Sequence, residues 1–150
     1  MVTSVGEENE LVKVKKQLSI LVVDDKEIDL FIATKVIAHS GLSCKLFTAP
    51  TTFKGLNILE KFYRKEQRYP DVIFTEFYMP LLDGAAFIAK IKALEHFSEK
   101  DTKIWVLTGC LSRQNLVRLK KIGVNGIASK PLGNEILFNV LLEKKYKSIF

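Results

Sequence analysis

Five side chains in this sequence stand directly behind apolar runs. Asp24 and Asp25 close "LSILVVDD", Glu76 closes "DVIFTE", Thr108 ends the run in "KIWVLTG", and Lys130 ends "VNGIASK". Brought to one crevice, they would supply three carboxylates, a hydroxyl and an ammonium. Carboxylates packed so closely repel one another and raise each other's pKa unless a cation intervenes. The economical cation is a hard divalent ion such as Mg²⁺, which prefers oxygen ligands and keeps several waters. Lys130 would add a positive charge suited to an anion. Each residue also has an ordinary reading when taken alone. An Asp-Asp pair after a strand caps a helix, a threonine suits a strand end, and a lysine before a proline belongs to the surface. The weight lies in the set, with its order, spacing and strand context.

The elements that must position these residues alternate along the chain. "LSILVVDD" is a near-continuous apolar run, as expected of a strand buried on both faces. "KEIDLFIATKVIAHSG" follows as a helix, with Ile28, Phe31, Ile32 and Val36 at helical spacing and Gly41 as its stop. "LSCKLFTA" is a second strand. "PTTFKGLNILEKFYRKEQ" is an amphipathic helix through Leu56, Leu59, Phe62 and Tyr63, despite the helix-weakening Gly55. "DVIFTE" is the third strand. A helix over about Gly84 to Phe97 carries Phe87, Ile91 and Leu94 on one stripe. "KIWVLTG" is the fourth strand, and Ser112 caps the helix "RQNLVRLKKIG". "VNGIASK" is a short fifth strand. The last helix starts near Asn134, with Ile136, Leu137, Val140 and Leu141 inward and a basic end "EKKYKSIF". Five strands alternating with five helices imply a parallel sheet covered on both faces. In such sheets ligands and chemistry gather at the carboxyl ends of the strands, where the five side chains fall.

The remaining composition narrows the function class. The 150 residues are 47% hydrophobic and 27% charged, which suits one compact domain, here 18–147, behind a polar tail 1–17. No apolar run reaches membrane-spanning length, and the N-terminus lacks a signal peptide, so no membrane association and a cytoplasmic location are expected. Cys44 and Cys110 have no metal-ligand spacing around them and suggest no disulfide framework. The net charge of +6 comes from scattered basic residues, such as Lys54, Lys61, Arg64, Lys65 and Arg68. Without aromatic interleaving or a nucleic-acid motif, no nucleic-acid binding is expected.

The sequence resembles the receiver domains of response regulators over Leu18 to about Lys144. The motifs are "ILVVDD", "PDVIFTEFYMPLLDG", "VLTG" and "SKPL". The resemblance implies a flavodoxin-like, doubly wound α/β fold with strand order 2-1-3-4-5. It also implies a two-component phosphorelay role, in which a histidine kinase passes a phosphoryl group to an aspartate with the help of Mg²⁺. Asp24 and Asp25 match the acidic pair, with Asp25 the direct metal ligand and Asp24 acting through water. Glu76 stands at the phosphoacceptor position and is itself a metal ligand, and the Tyr78 backbone carbonyl completes the set. Thr108 matches the switch hydroxyl, and Lys130 the lysine that pairs with the phosphoryl group. The Lys130–Pro131 bond would be cis.

Two positions depart from that family. The phosphoacceptor is Glu76 rather than aspartate, and the switch aromatic is Ile127. One extra methylene moves the nucleophilic oxygen by roughly 1 Å, a displacement that can cost about 100-fold when in-line attack must be aligned. The same methylene could carry the carboxylate toward Thr108 and Lys130 as a partial mimic of a phosphoryl group. The sequence therefore reads as an atypical, stand-alone receiver, a protein-interaction module rather than an enzyme, with impaired or phosphorylation-independent switching. The alternative is a functional phosphoacceptor, phosphorylated slowly on Glu76. A flavin-binding domain of similar fold is disfavoured by the lack of a Ser/Thr/Gly-rich phosphate cradle. The partner is expected to be a histidine kinase or another signalling protein. It would meet the face of the fourth helix, fifth strand and fifth helix, which includes Arg113, Arg118, Lys121 and Ile127. A homodimer is compatible with such a domain.

Overall fold

The computed structural model describes residues 17–142. Most of the polar tail, the basic C-terminal end and the expected boundary at 147 lie outside the described residues. The order is β1 (Leu18–Val23), α1 (Glu27–Ala38), β2 (Cys44–Ala49), α2 (Thr52–Glu66), β3 (Val72–Thr75), α3 (Gly84–Lys92), β4 (Lys103–Thr108), α4 (Arg113–Ile122), β5 (Gly126–Ser129) and α5 (Asn134–Leu141). The strands pair in parallel in the order β2-β1-β3-β4-β5. The flavodoxin-like arrangement expected from the sequence is what forms.

Side-chain alternation along the strands explains why apolar runs were needed. Leu21, Val23, Ile73, Ile104, Val106 and Ile127 point to one face, where Leu59, Phe87, Ile88, Ile91 and Leu119 of α2, α3 and α4 cover them. Ile20, Val22, Val72, Phe74, Trp105, Leu107 and Ala128 point to the other, under Ala33 and Ile37 of α1 and Leu137 and Val140 of α5. Both faces are dry, so both phases of each central strand must be apolar. Gly55 belongs to this packing: a Cβ there would lie 3.0 Å from Phe87 Cζ and 3.1 Å from Val23 Cγ2. The residue that weakens α2 by propensity lets it seat closely on the sheet.

Two helical expectations are corrected. On α1 the buried residues are Ala33 and Ile37, with Val36 packed against the core as its spacing suggests, whereas Ile28 and Phe31 are 61% and 56% exposed. The segment "EIDLFIATKVIA" is apolar around most of its circumference, so spacing alone could not choose the buried face. Lys35 Nζ lies 5.4 Å from the Phe31 ring centroid and partly covers it. The third helix ends at Lys92 rather than Phe97. His96 adopts φ +65°, and the Glu95 carbonyl accepts from the Tyr69 hydroxyl at 2.7 Å. Leu94 and Phe97 still pack against the core, from turns instead of a helix.

The register delivers the site. Val23 pairs with Thr75, Thr75 with Val106, and Thr108 with Ser129. The residues just past these positions therefore open onto one end of the sheet.

Candidate functional site: an ammonium among three carboxylates

Asp24 extends the β1 ladder, its N–H donating to the Ala49 carbonyl at 3.1 Å, and it is buried. Its Oδ1 accepts from the Lys26 N–H at 3.0 Å. The helix-cap reading of the Asp-Asp pair does not hold, because Lys26 occupies the N-cap of α1 and makes no side-chain cap bond. Asp25 is exposed.

Glu76 extends β3 in the same way, its N–H donating to the Val23 carbonyl at 2.9 Å. The carboxylate is 6% exposed and folds back over the following loop. Its Oε2 accepts from the N–H groups of Phe77 at 2.5 Å and Tyr78 at 3.1 Å. The loop is held close by Gly84, where a Cβ would lie 2.8 Å from Phe77 Cα and 2.9 Å from the Glu76 carbonyl oxygen. Glycine alone fits that contact.

Lys130 follows β5, and its peptide bond to Pro131 is cis. The Lys130 ammonium donates to Asp24 Oδ2 at 2.5 Å, Glu76 Oε1 at 2.7 Å and Asp29 Oδ2 at 2.8 Å. Burial acts to lower the Lys130 pKa, but the bonds to Asp24, Asp29 and Glu76 outweigh it and move it upward. Asp24 is displaced upward by burial, which Lys130 and the Lys26 N–H offset only in part. One ammonium shared among three carboxylates leaves each with less than a full counter-charge.

Asp29 was not singled out from the sequence. It lies in the first turn of α1, where an acidic residue reads as a partner of the helix dipole. The available signal was its position one turn beyond Asp25. Also unforeseen was the strap from the Glu76 loop to α4. Asp83 caps α3 by accepting from the Ala86 N–H at 2.9 Å, and Arg118 Nη1 and Nη2 reach its two oxygens at 3.0 and 3.4 Å. The Tyr78 hydroxyl accepts from the Ser112 N–H at 3.3 Å and the Asn115 amide at 3.4 Å.

The remaining candidates separate from the carboxylates. The Thr108 hydroxyl donates to the Cys110 carbonyl at 3.1 Å, so Glu76 reaches Lys130 but does not bond Thr108. Ile127 is 2% exposed and packs within the core, off the surface where a partner-facing role had placed it. Of the residues that the resemblance implies as Mg²⁺ ligands, Asp24 and Glu76 are held by Lys130, and Asp25 is exposed. Among the described residues, the one place where three carboxylates converge is filled by the Lys130 ammonium, and no group of three His, Cys, Asp or Glu side chains is arranged to hold a metal ion.

Comparison with known proteins agrees with the geometry. The family model for the response regulator receiver domain matches residues 20–142. The chain is 25% identical over 135 residues to the transcription factor SKN7 of Saccharomyces cerevisiae, covering 90% of this chain and 20% of that protein. It is 28% identical over 146 residues to the peroxide stress-activated histidine kinase mak2 of Schizosaccharomyces pombe, covering 93% of this chain and 6% of that one. The chain thus spans a fifth or less of the length of these relatives. A solved two-component response regulator from Cytophaga hutchinsonii shares the fold with a TM-score of 0.73, at 22% identity, over 85% of this chain and 97% of the other. With the family model matched over residues 20–142 and the sheet order 2-1-3-4-5, the chain belongs to the response regulator receiver domain family.

Proposed function

We propose that this receiver is an interaction module whose site is held by Glu76 and Lys130 without a phosphoryl group. Receiver domains in general are signalling modules that work with histidine kinases and other signalling proteins and bind Mg²⁺ at their acidic site. One observation carries the narrower reading. Both carboxylate oxygens of Glu76 already have partners, Oε1 on Lys130 and Oε2 on two backbone N–H groups. Those bonds fix the carboxylate in one orientation and draw on its charge, so in-line attack would require it to realign against charge-assisted bonds. The contact to Lys130 sets the negative end of Glu76 against the cation that a phosphoryl oxygen would otherwise meet.

The exposed Arg113, Lys120 and Lys121 of α4, around Val117, itself 57% exposed, support a partner-facing surface there. That chemistry suits an acidic protein surface with an apolar centre.

The test is intact-mass measurement after incubation with acetyl phosphate and Mg²⁺, run on the natural chain, Glu76→Asp and Glu76→Ala. The natural chain is expected to gain no phosphoryl mass, while Glu76→Asp gains one. A phosphoryl adduct on the natural chain that Glu76→Ala lacks would show a slow phosphoacceptor instead.

A further inference from the structure

We propose that the cation of this site is the Lys130 ammonium itself, seated among Asp24, Asp29 and Glu76, and that the site takes no divalent metal ion. The inference rests on the receiver reading above and departs from the Mg²⁺ that the family implies.

The donor set closes on itself. An ammonium has three N–H donors and no acceptor. Three carboxylate oxygens, from Asp24, Glu76 and Asp29, lie 2.5, 2.7 and 2.8 Å from Nζ. The other oxygens of Asp24 and Glu76 accept from the backbone N–H groups of Lys26, Phe77 and Tyr78. All four oxygens of those two carboxylates therefore have partners. A Mg²⁺ ion demands near-octahedral oxygen ligands and gives up its waters reluctantly. To bind there it would have to share carboxylates that already lie 2.5 and 2.7 Å from the ammonium, with the two cations repelling one another across them, while Asp25 is exposed.

Asp29 completes this arrangement. It supplies the third acceptor, so the ammonium makes a full set of bonds where two carboxylates would leave one donor unmatched. Three carboxylates against one ammonium leave residual negative charge. The three backbone N–H groups and the N-terminus of α1, beside which Asp29 sits, face that charge.

The experiment titrates the whole chain with Mg²⁺ by calorimetry and with Mn²⁺ by the broadening of amide resonances. The natural chain is expected to give no saturable heat at millimolar Mg²⁺ and no broadening centred on residues 24–25 and 76–78. Lys130→Met, which removes the ammonium, and Glu76→Asp, whose shorter carboxylate draws back from it, are expected to gain saturable Mg²⁺ binding with broadening at those residues. Saturable binding centred there in the natural chain overturns the proposal. So does a folded Lys130→Met protein that gains none, because the ammonium would then not be what excludes the metal. Where Lys130→Met fails to fold, the natural-chain titration decides alone. A chain that binds Mg²⁺ yet takes no phosphoryl group overturns this inference and leaves the proposed function standing; phosphorylation of Glu76 overturns the function.

Discussion

Asp29 and Lys130, 101 positions apart in sequence, meet with Oδ2 2.8 Å from Nζ. The contact ties the first turn of α1 to the loop after β5, across the mouth of the sheet. Asp24 and Glu76 reach the same ammonium from β1 and β3, so one cation links three strand ends.

Removing parts of this cluster should cost unequal amounts. Asp29→Ala is expected to destabilise by about 1.5 kcal/mol, the low end for a hydrogen bond to a charged group, because Asp29 remains partly solvated. Lys130→Met leaves buried carboxylates without their cation and should cost about 3–5 kcal/mol. Adding Glu76→Gln to Lys130→Met should recover part of that loss. Urea denaturation midpoints of the four proteins check the order, and an Asp29→Ala midpoint equal to that of the natural chain would remove Asp29 from the cluster.

Most of the fold was legible in the sequence because it was written in long, one-sided signals. The apolar runs of β1, β3 and β4 admit few alternatives, and Ser112 capped α4 as its position suggested, accepting from the Asn115 N–H. What was illegible had local causes. α1 is apolar nearly all round, so Ile28 and Phe31 looked as buried as Ala33 and Ile37. Leu94 and Phe97 continue the spacing of α3 although the backbone turns away. In the site, Asp24, Glu76, Thr108 and Lys130 were readable as strand-end residues. Asp29 was not, because its partner lies at the far end of the chain.

The Tyr78 hydroxyl should matter to α4 more than to the core. Tyr78→Phe removes the acceptor for the Ser112 N–H and the Asn115 amide while keeping the ring. Loss of about 0.5–1.5 kcal/mol is expected at most, since these bonds are exposed. Hydrogen exchange should quicken at the amides of residues 112–115 and stay unchanged along β1. Uniform exchange in both proteins would show that the phenol does not hold the start of α4.

Asp83 should make stability depend on acid. Burial alone would raise its pKa, but the Ala86 N–H and Arg118 outweigh that and hold it below the ordinary 3.8. A carboxyl with a depressed folded-state pKa contributes stability above its unfolded value and loses it as pH falls through the folded one. Asp83→Asn keeps a capping side chain but discards the charge. The gap in urea midpoint between the natural chain and Asp83→Asn should therefore be present at neutral pH and close below about pH 4. A gap independent of pH would assign the difference to the cap alone.

The two cysteines should report on different parts of the molecule. Burial, with Asp71 nearby, pushes the Cys44 thiol up from 9.0 to about 11. At pH 8 that leaves roughly one thiolate in a thousand, and the thiolate is the form that reacts. Cys110 is exposed, and its carbonyl holds the Thr108 hydroxyl. A thiol reagent should therefore label Cys110 first and the half-buried Cys44 far more slowly. The Cys110 rate also tests the switch, because freeing Thr108 to meet a phosphoryl group would break its bond to the Cys110 carbonyl. With Glu76 in place, acetyl phosphate and Mg²⁺ should leave the rate unchanged. In Glu76→Asp the same treatment should change it, and equal responses from the two proteins would mean that Glu76 does not decide whether the β4–α4 loop moves.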